Sequence, residues 1–126
     1  MEKIYYKKVL IGIRFNFFSE GTVPITGAKE SLQVLSLKYK KGKYIKPHIH
    51  IFKQRKTERL SECLIVRKGK IKIELYGPDK KYFKRIFLKE GELFVLLNGG
   101  WGVHILEDAE IFEIKNGPFI KDEVEI

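Results

Sequence analysis

The sequence predicts an all-β fold, in which short strands form a sandwich or a closed barrel of the jelly-roll kind. Strand-like stretches recur at even spacing and are separated by turns that contain glycine or proline. Nine Phe, six Tyr and one Trp enrich the chain in residue types that favour strands. No stretch of useful length shows the periodicity of a helix.

About ten strands are expected along the chain. Two strand-like stretches surround Gly12, between Tyr5 and Phe18, and a loop follows over 19–29. The remaining strands are expected at 32–40, 44–52, 62–67, 70–76, 82–88, 92–97, 101–106 and 110–115. The clearest signal is a hairpin in which Lys68-Gly69 joins 62–67 to 70–76, because apolar and polar residues alternate in its second arm.

The length and composition indicate one domain over 1–126. At 44% hydrophobic and 33% charged residues, the chain is apolar enough to bury a core. Cys63 is the only cysteine, so no disulfide forms within the chain. The first residues do not resemble a secretory signal and no apolar run is long enough to span a bilayer. A cytoplasmic protein with no membrane partner is therefore expected.

The formal net charge is +9. The basic residues are spread along the chain and often alternate with apolar ones, as on the wet face of a sheet. No motif typical of nucleic-acid binding is visible, and nucleic acid is not expected as a partner. A pocket for an anionic small molecule, such as a nucleotide-linked sugar, fits the charge equally well.

The three histidines are the most informative residues. His48 and His50 are two apart on an expected strand, so both side chains leave the same face. Glu62 opens a later expected strand and His104 lies on another. Three imidazoles and a carboxylate would suit a divalent transition metal such as Zn, Fe, Mn or Ni. Without a metal, His48 and His50 are candidate acid–base groups.

This spacing resembles the first motif of the cupin superfamily. Gly42 is followed after five residues by His48, and Glu62 is followed after six residues by Gly69. The chain departs from the family pattern between His50 and Glu62, where eleven residues form an enlarged loop. The resemblance implies a cupin-type β-barrel, also described as a jelly roll or double-stranded β-helix, with His48, His50, Glu62 and His104 as metal ligands.

The second cupin motif is degenerate in this chain. Gly91 leads to Leu97 at the place of the family's proline and then to Gly99. Gly102 falls where the motif's histidine is expected. In one alignment His104 supplies the ligand from two residues further on. In the other, Trp101 occupies the histidine place and His104 faces away.

The ending Glu113-Ile114-Lys115-Asn116-Gly117-Pro118-Phe119 resembles that of small cupin-fold metalloproteins encoded among O-antigen and capsular polysaccharide genes. The resemblance covers about 32–119. It implies a role near nucleotide-sugar or surface-polysaccharide synthesis. It also implies a homodimer, for which the N-terminal strands within 3–18 are the candidate interface.

Four further residues are candidates for substrate binding. Trp101 lies in a glycine-rich loop and can stack on a sugar or a base, although a tryptophan is more often part of the core. Arg55 and Arg59 follow the paired histidines and can bind phosphate, although such charges are usually solvated. Tyr76 is a candidate as well, with a core position as the simpler alternative.

Three functions remain open from the sequence. The first is a sugar isomerase or epimerase in which His48 or His50 moves a proton next to a carbonyl group. The second is a non-catalytic module that binds a metal or a small acidic ligand. The third, a metal-dependent dioxygenase, needs a complete ligand set, and the degenerate second motif argues against it.

Overall fold

The computed structural model describes residues 1–126 and is all-β, with half of the residues in strands and no helix. Its eight strands are β1 (Glu2–Tyr6), β2 (Val9–Phe15), β3 (Gly21–Pro24), β4 (Leu35–Lys38), β5 (Glu62–Tyr76), β6 (Tyr82–Lys89), β7 (Leu93–Leu96) and β8 (Gly100–Lys115). The predicted all-β class is confirmed. No segment forms a helix of the length and apolarity that crossing a membrane requires.

Six of the strands form one curled antiparallel sheet that resembles half of a barrel. The long strand β5 lies in its middle and pairs along its whole length with β8. On its other edge β5 pairs first with β7 and then with β6. β7 also pairs with β2, and β2 pairs with β1. The short strands β3 and β4 pair only with each other.

The inner face of the curled sheet carries the main core. Five of its strands contribute eleven buried side chains, and Tyr6, Phe83 and Trp101 are among the residues that pack against them. The curl brings the end of β1 near the start of β6, where the Tyr6 and Phe83 rings lie 4.7 Å apart. The Tyr6 hydroxyl also donates a hydrogen bond of 2.8 Å to Asp79, in the turn before β6. The N-terminal hairpin is thus part of the main sheet.

A second core lies on the outer face of β2, β7 and the first part of β5. It contains the alternate side chains of these strands together with Ile25, and Leu32 and Val34 pack against it. Cys63 belongs to this core, and its burial raises the pKa of the thiol to about 11. The segment around β3 and β4 therefore covers one outer face of the sheet.

The predicted hairpin at Lys68-Gly69 is wrong, because β5 continues through both residues. Its pairing with β8 shifts register at this point, as in a β-bulge. Gly69 has a φ of +90°, and a Cβ there would lie 2.2 Å from the backbone oxygen of Asp108. The glycine allows a left-handed backbone and a close strand approach, rather than a chain reversal. Because β5 does not reverse direction at Gly69, its partner strand continues as well. The two strands predicted at 101–106 and 110–115 therefore form the single strand β8.

The first hairpin turns at Lys7-Lys8, while Gly12, around which the two stretches were predicted, lies inside β2. Both lysines have positive φ, 47° and 68°, as a two-residue turn of type I′ requires. A Cβ on Gly12 would lie 2.3 Å from the Phe94 ring, so this glycine makes room for a core aromatic. Hydrogen bonds close turns over 40–43, 77–81 and 89–92, where the sequence leaves short glycine-containing gaps between expected strands.

Residues 39–60, called the strap below, connect β4 to β5 and contain no strand. The strand predicted at 44–52, with His48 and His50 on one face, is therefore wrong. Apolar residues recur there, but no neighbouring strand pairs with them. Pro47 also lacks the backbone N–H that hydrogen bonding to a neighbouring strand requires, and it restricts the backbone of the residue before it.

Candidate functional site

The two neighbouring histidines lie in the strap and are exposed to solvent. Their ring centroids are 5.5 Å apart, with the rings nearly perpendicular. The Nδ1 of His48 donates a hydrogen bond of 2.8 Å to the backbone oxygen of Lys46. The structure thus brings His48 and His50 together, but in an exposed segment rather than on the inner face of the sheet.

The third histidine lies on β8, where His104 is opposite Lys72 of β5. Its Nε2 contacts the carboxylate of Glu74. Lys72 and Glu74 alternate with the buried Ile71, Ile73 and Leu75. His104 therefore projects from the face opposite the main core.

Trp101 lies on the other face of the same strand. It is opposite Leu75, packs against the main core, and its ring centroid is 6.0 Å from that of Phe94. Tyr76 is opposite Gly100, and its ring is 5.9 Å from that of Tyr82. Trp101 and Tyr76 are both half-buried and do not lie in the cleft described below.

Glu62 begins β5 and is partly buried. Leu64 and Val66, which follow it at a spacing of two, belong to the main core, so Glu62 is on the inner face of the sheet. Burial raises the pKa of its carboxyl group, and the negative charges of Glu113, Glu123 and Asp122 act in the same direction. Lys115 partly offsets this effect.

The four predicted metal ligands do not form one cluster. No group of three or more His, Cys, Asp or Glu side chains is arranged to hold a metal ion. Only His48 and His50 are neighbours, so the arrangement does not fit a four-ligand centre. Metal binding by these residues stays a prediction.

Arg55 and Arg59 lie in a cleft of about 880 Å³ between the strap and the segment before β4. The cleft is called the basic cleft and is lined by Ala28, Lys29, Glu30, Ser31, Gln33, Arg55, Lys56, Thr57, Glu58 and Arg59. Four of these residues are cations and two are carboxylates. The cleft therefore carries an excess of positive charge that suits an anionic ligand.

Hydrogen bonds hold the end of the strap in place beside this cleft. The Asn116 amide donates to the backbone oxygen of Arg59 at 3.1 Å and to the Thr57 hydroxyl at 3.4 Å. Its side-chain oxygen accepts a bond of 2.8 Å from the backbone N–H of Ser61. The Ser31 hydroxyl donates to the same Arg59 oxygen at 2.8 Å. These bonds fix the backbone from which Arg59 projects.

The sequence did not single out Lys29, Lys56, Ser31 or Asn116 as site residues. Lys29 and Ser31 are distant from Arg55 along the chain, and only the fold brings them together. Asn116 lies in the closing motif, next to Gly117-Pro118. An asparagine at a strand end is a sequence signal for bonds to nearby backbone, which could have identified it.

No family model matches the chain, and no curated protein or solved structure is significantly similar to it.

Proposed function

We propose that this protein is a cupin-type barrel that binds an anionic sugar, with a nucleotide-linked sugar as the representative ligand. The observation that carries this proposal is the basic cleft, in which Arg55 and Arg59 join Lys29 and Lys56 around one concave surface. The cupin part rests on the glycine and histidine spacing of the first motif and on the curled all-β sheet.

Guanidinium groups are suited to phosphate because each offers several N–H donors in a fixed plane. Two arginines and two lysines can neutralise the negative charge of a diphosphate. The bonds from Asn116 and Ser31 hold the Arg59 backbone before any ligand arrives, which reduces the entropy lost on binding. The cleft volume also lies within the range of small-molecule sites.

The proposal is for binding. In an isomerase or epimerase, His48 or His50 would act as the base. Both rings are exposed, and no observation favours turnover over a non-catalytic binding module. As part of the same proposal, two copies associate through the N-terminal strands. Tyr5 of β1 is 55% exposed, and Phe17, which follows β2, is 70% exposed.

Isothermal titration calorimetry with UDP-, GDP- and dTDP-glucose tests this proposal. We expect at least one to bind, and Arg55→Ala/Arg59→Ala to weaken it by about tenfold or more, because two charge-assisted hydrogen-bonding groups are lost. Lys84→Ala/Arg85→Ala is the matched control, since it removes the same charge from exposed positions of β6. Free glucose controls for recognition of the sugar alone.

Two results would overturn the proposal. One is the absence of binding by all three nucleotide sugars at millimolar concentration. The other is equal affinity of the native protein and the Arg55→Ala/Arg59→Ala variant, which would place any ligand outside the basic cleft.

A further inference from the structure

The strap lies in the longest run of exposed residues in the molecule, although it is rich in apolar residues. All of residues 39–60 are exposed. Five large apolar side chains of the strap, called the apolar tip, are Tyr44 at 69%, Ile45 at 54%, Ile49 at 89%, Ile51 at 69% and Phe52 at 94% exposure. Single exposed apolar residues are ordinary, but five large ones within nine residues of one segment mark a candidate contact surface for a partner.

Cations surround the apolar tip on both sides. Lys40, Lys41 and Lys43 precede it, Lys46 lies within it, and Lys53, Arg55 and Lys56 follow. No Asp or Glu occurs between Ser31 and Thr57. The partner that covers the tip must therefore be negatively charged and must accept aliphatic side chains.

We propose that the strap docks this protein on an anionic membrane surface. Ile49, Ile51 and Phe52 enter the boundary between headgroups and acyl chains, and the surrounding lysines contact the lipid phosphates. This inference goes beyond ligand binding in the basic cleft and does not depend on it. It departs from the expectation of no membrane partner, because that expectation rested on the lack of a spanning segment, and a surface contact needs none.

The side chains of the tip favour lipid over the other anionic partners. Nucleic acid rewards planar groups that stack on bases. The tip has two such groups, Tyr44 and Phe52, but its other three side chains are aliphatic isoleucines that offer no ring to stack. A second copy of the strap would bring the same positive charges together, and like charges oppose that contact. An anionic bilayer supplies both the negative charge and the apolar interior.

Flotation with vesicles tests the proposal on the full chain. One set of vesicles is phosphatidylcholine alone, and the other also contains phosphatidylglycerol. We expect binding to the anionic vesicles that weakens as salt is added. Ile49→Ser/Phe52→Ser should lower this binding by about tenfold or more, because two apolar side chains no longer enter the bilayer.

Phe112→Ser/Ile114→Ser is the matched control, since it removes two exposed apolar side chains from β8 and should bind as the native protein does. Lys41→Gln/Lys43→Gln provides a second test and should reduce binding severalfold at low salt. Arg55 is left intact in every variant, so nucleotide-sugar binding is unchanged and failure of one proposal is separable from failure of the other.

Three outcomes would overturn the proposal. The first is no preference for anionic vesicles. The second is tighter binding of the protein to single-stranded oligonucleotides than to the anionic vesicles, which would identify nucleic acid as the partner. The third is slow hydrogen exchange of 44–52 in the free protein, which would show that the chain itself covers the apolar tip.

Discussion

Protonation of the Glu62 carboxyl group is coupled to folding. Its pKa in the folded protein is raised, chiefly by burial and then by nearby carboxylates. The folded state thus binds a proton more readily than the unfolded state. The stabilisation linked to this proton is fully present below the ordinary pKa of 4.5 and is lost as the pH rises through the raised value.

We predict that Glu62→Gln stabilises the protein at neutral pH, because glutamine carries no charge to bury. The dependence of the free energy of unfolding on pH should become flatter just above pH 4.5. Urea unfolding of the native protein and the variant at several pH values measures this. Glu90→Gln, at an exposed turn position, is the control, and an equal effect of both substitutions would contradict the prediction.

Trp101 and His104 lie three residues apart on one strand and project from its opposite faces. Two alignments of the second motif were open in the sequence: one with His104 as the ligand, and one with Trp101 in the histidine place and His104 facing away. The structure has no register shift between Trp101 and His104, and residues three apart then lie on opposite faces. Trp101 packs on the core and His104 meets Glu74 on the other side.

At the scale of elements, β5 contributes to both cores, and its partner β8 packs against the main core. The first part of β5 contributes to the outer core through Cys63, and the inner core takes Leu64 and then Ile71, Ile73 and Leu75. The bulge at Gly69 lies between these parts and lets the pair bend as the sheet curls. If β5 and β8 continued as a flat pair of strands, they would not follow the curl of the sheet.

Gly69→Ala should destabilise the protein by about 1–3 kcal/mol from backbone strain alone. The contact of the new Cβ with the Asp108 oxygen adds to this cost. Gly102→Ala in β8 is the matched control, because a Cβ there meets nothing within 4 Å. Equilibrium denaturation gives both values, and a Gly69→Ala protein as stable as the control would show that the bulge is dispensable.

At the scale of the whole molecule, three strands of the curled sheet pair on one side only: β1 with β2, β6 with β5, and β8 with β5. Two of these edges, at β1 and β8, are the candidates for association. Residues of both edge regions are exposed and apolar, such as Phe17 after β2 and Phe112 on β8. An exposed strand edge is a natural place for pairing with another chain.

We predict a homodimer that forms through the N-terminal strands. Sedimentation velocity at several protein concentrations should show a dimer for the native protein and a monomer for Phe17→Ser. Phe112→Ser should remain dimeric. If Phe112→Ser dissociates the dimer and Phe17→Ser does not, the interface lies on β8 instead.

The sequence predicts the fold class and most turns, because alternation and Gly/Pro turn residues are local signals. It does not predict the turn at Lys7-Lys8 or the bulge at Gly69. Lysine is not a typical turn residue, and glycine serves a turn and a bulge equally well. The missing strand at 44–52 depends on whether a neighbour pairs with it, which is a property of the whole sheet.

The candidate site also consists of residues that local sequence signals identify and residues that only the fold brings together. Arg55 and Arg59 were identified from the sequence because they follow the paired histidines. Lys29 and Ser31 join them only through the covering segment around β3 and β4. The expected meeting of all three histidines required a strand on which His48 and His50 faced the barrel interior, and the strap provides none.

The pairing of β2 with β7 has a consequence for biosynthesis. The Asn98 amide bonds to the Leu10 oxygen across 88 residues of sequence, next to that pairing. During synthesis on the ribosome, the hairpin of β1 and β2 therefore emerges long before β7, the strand with which β2 pairs. Contacts between distant parts of a chain also form slowly, because a large loop must close first. During that interval Ile11 and Ile13 face solvent, so the nascent chain presents a hydrophobic hairpin that a chaperone can bind.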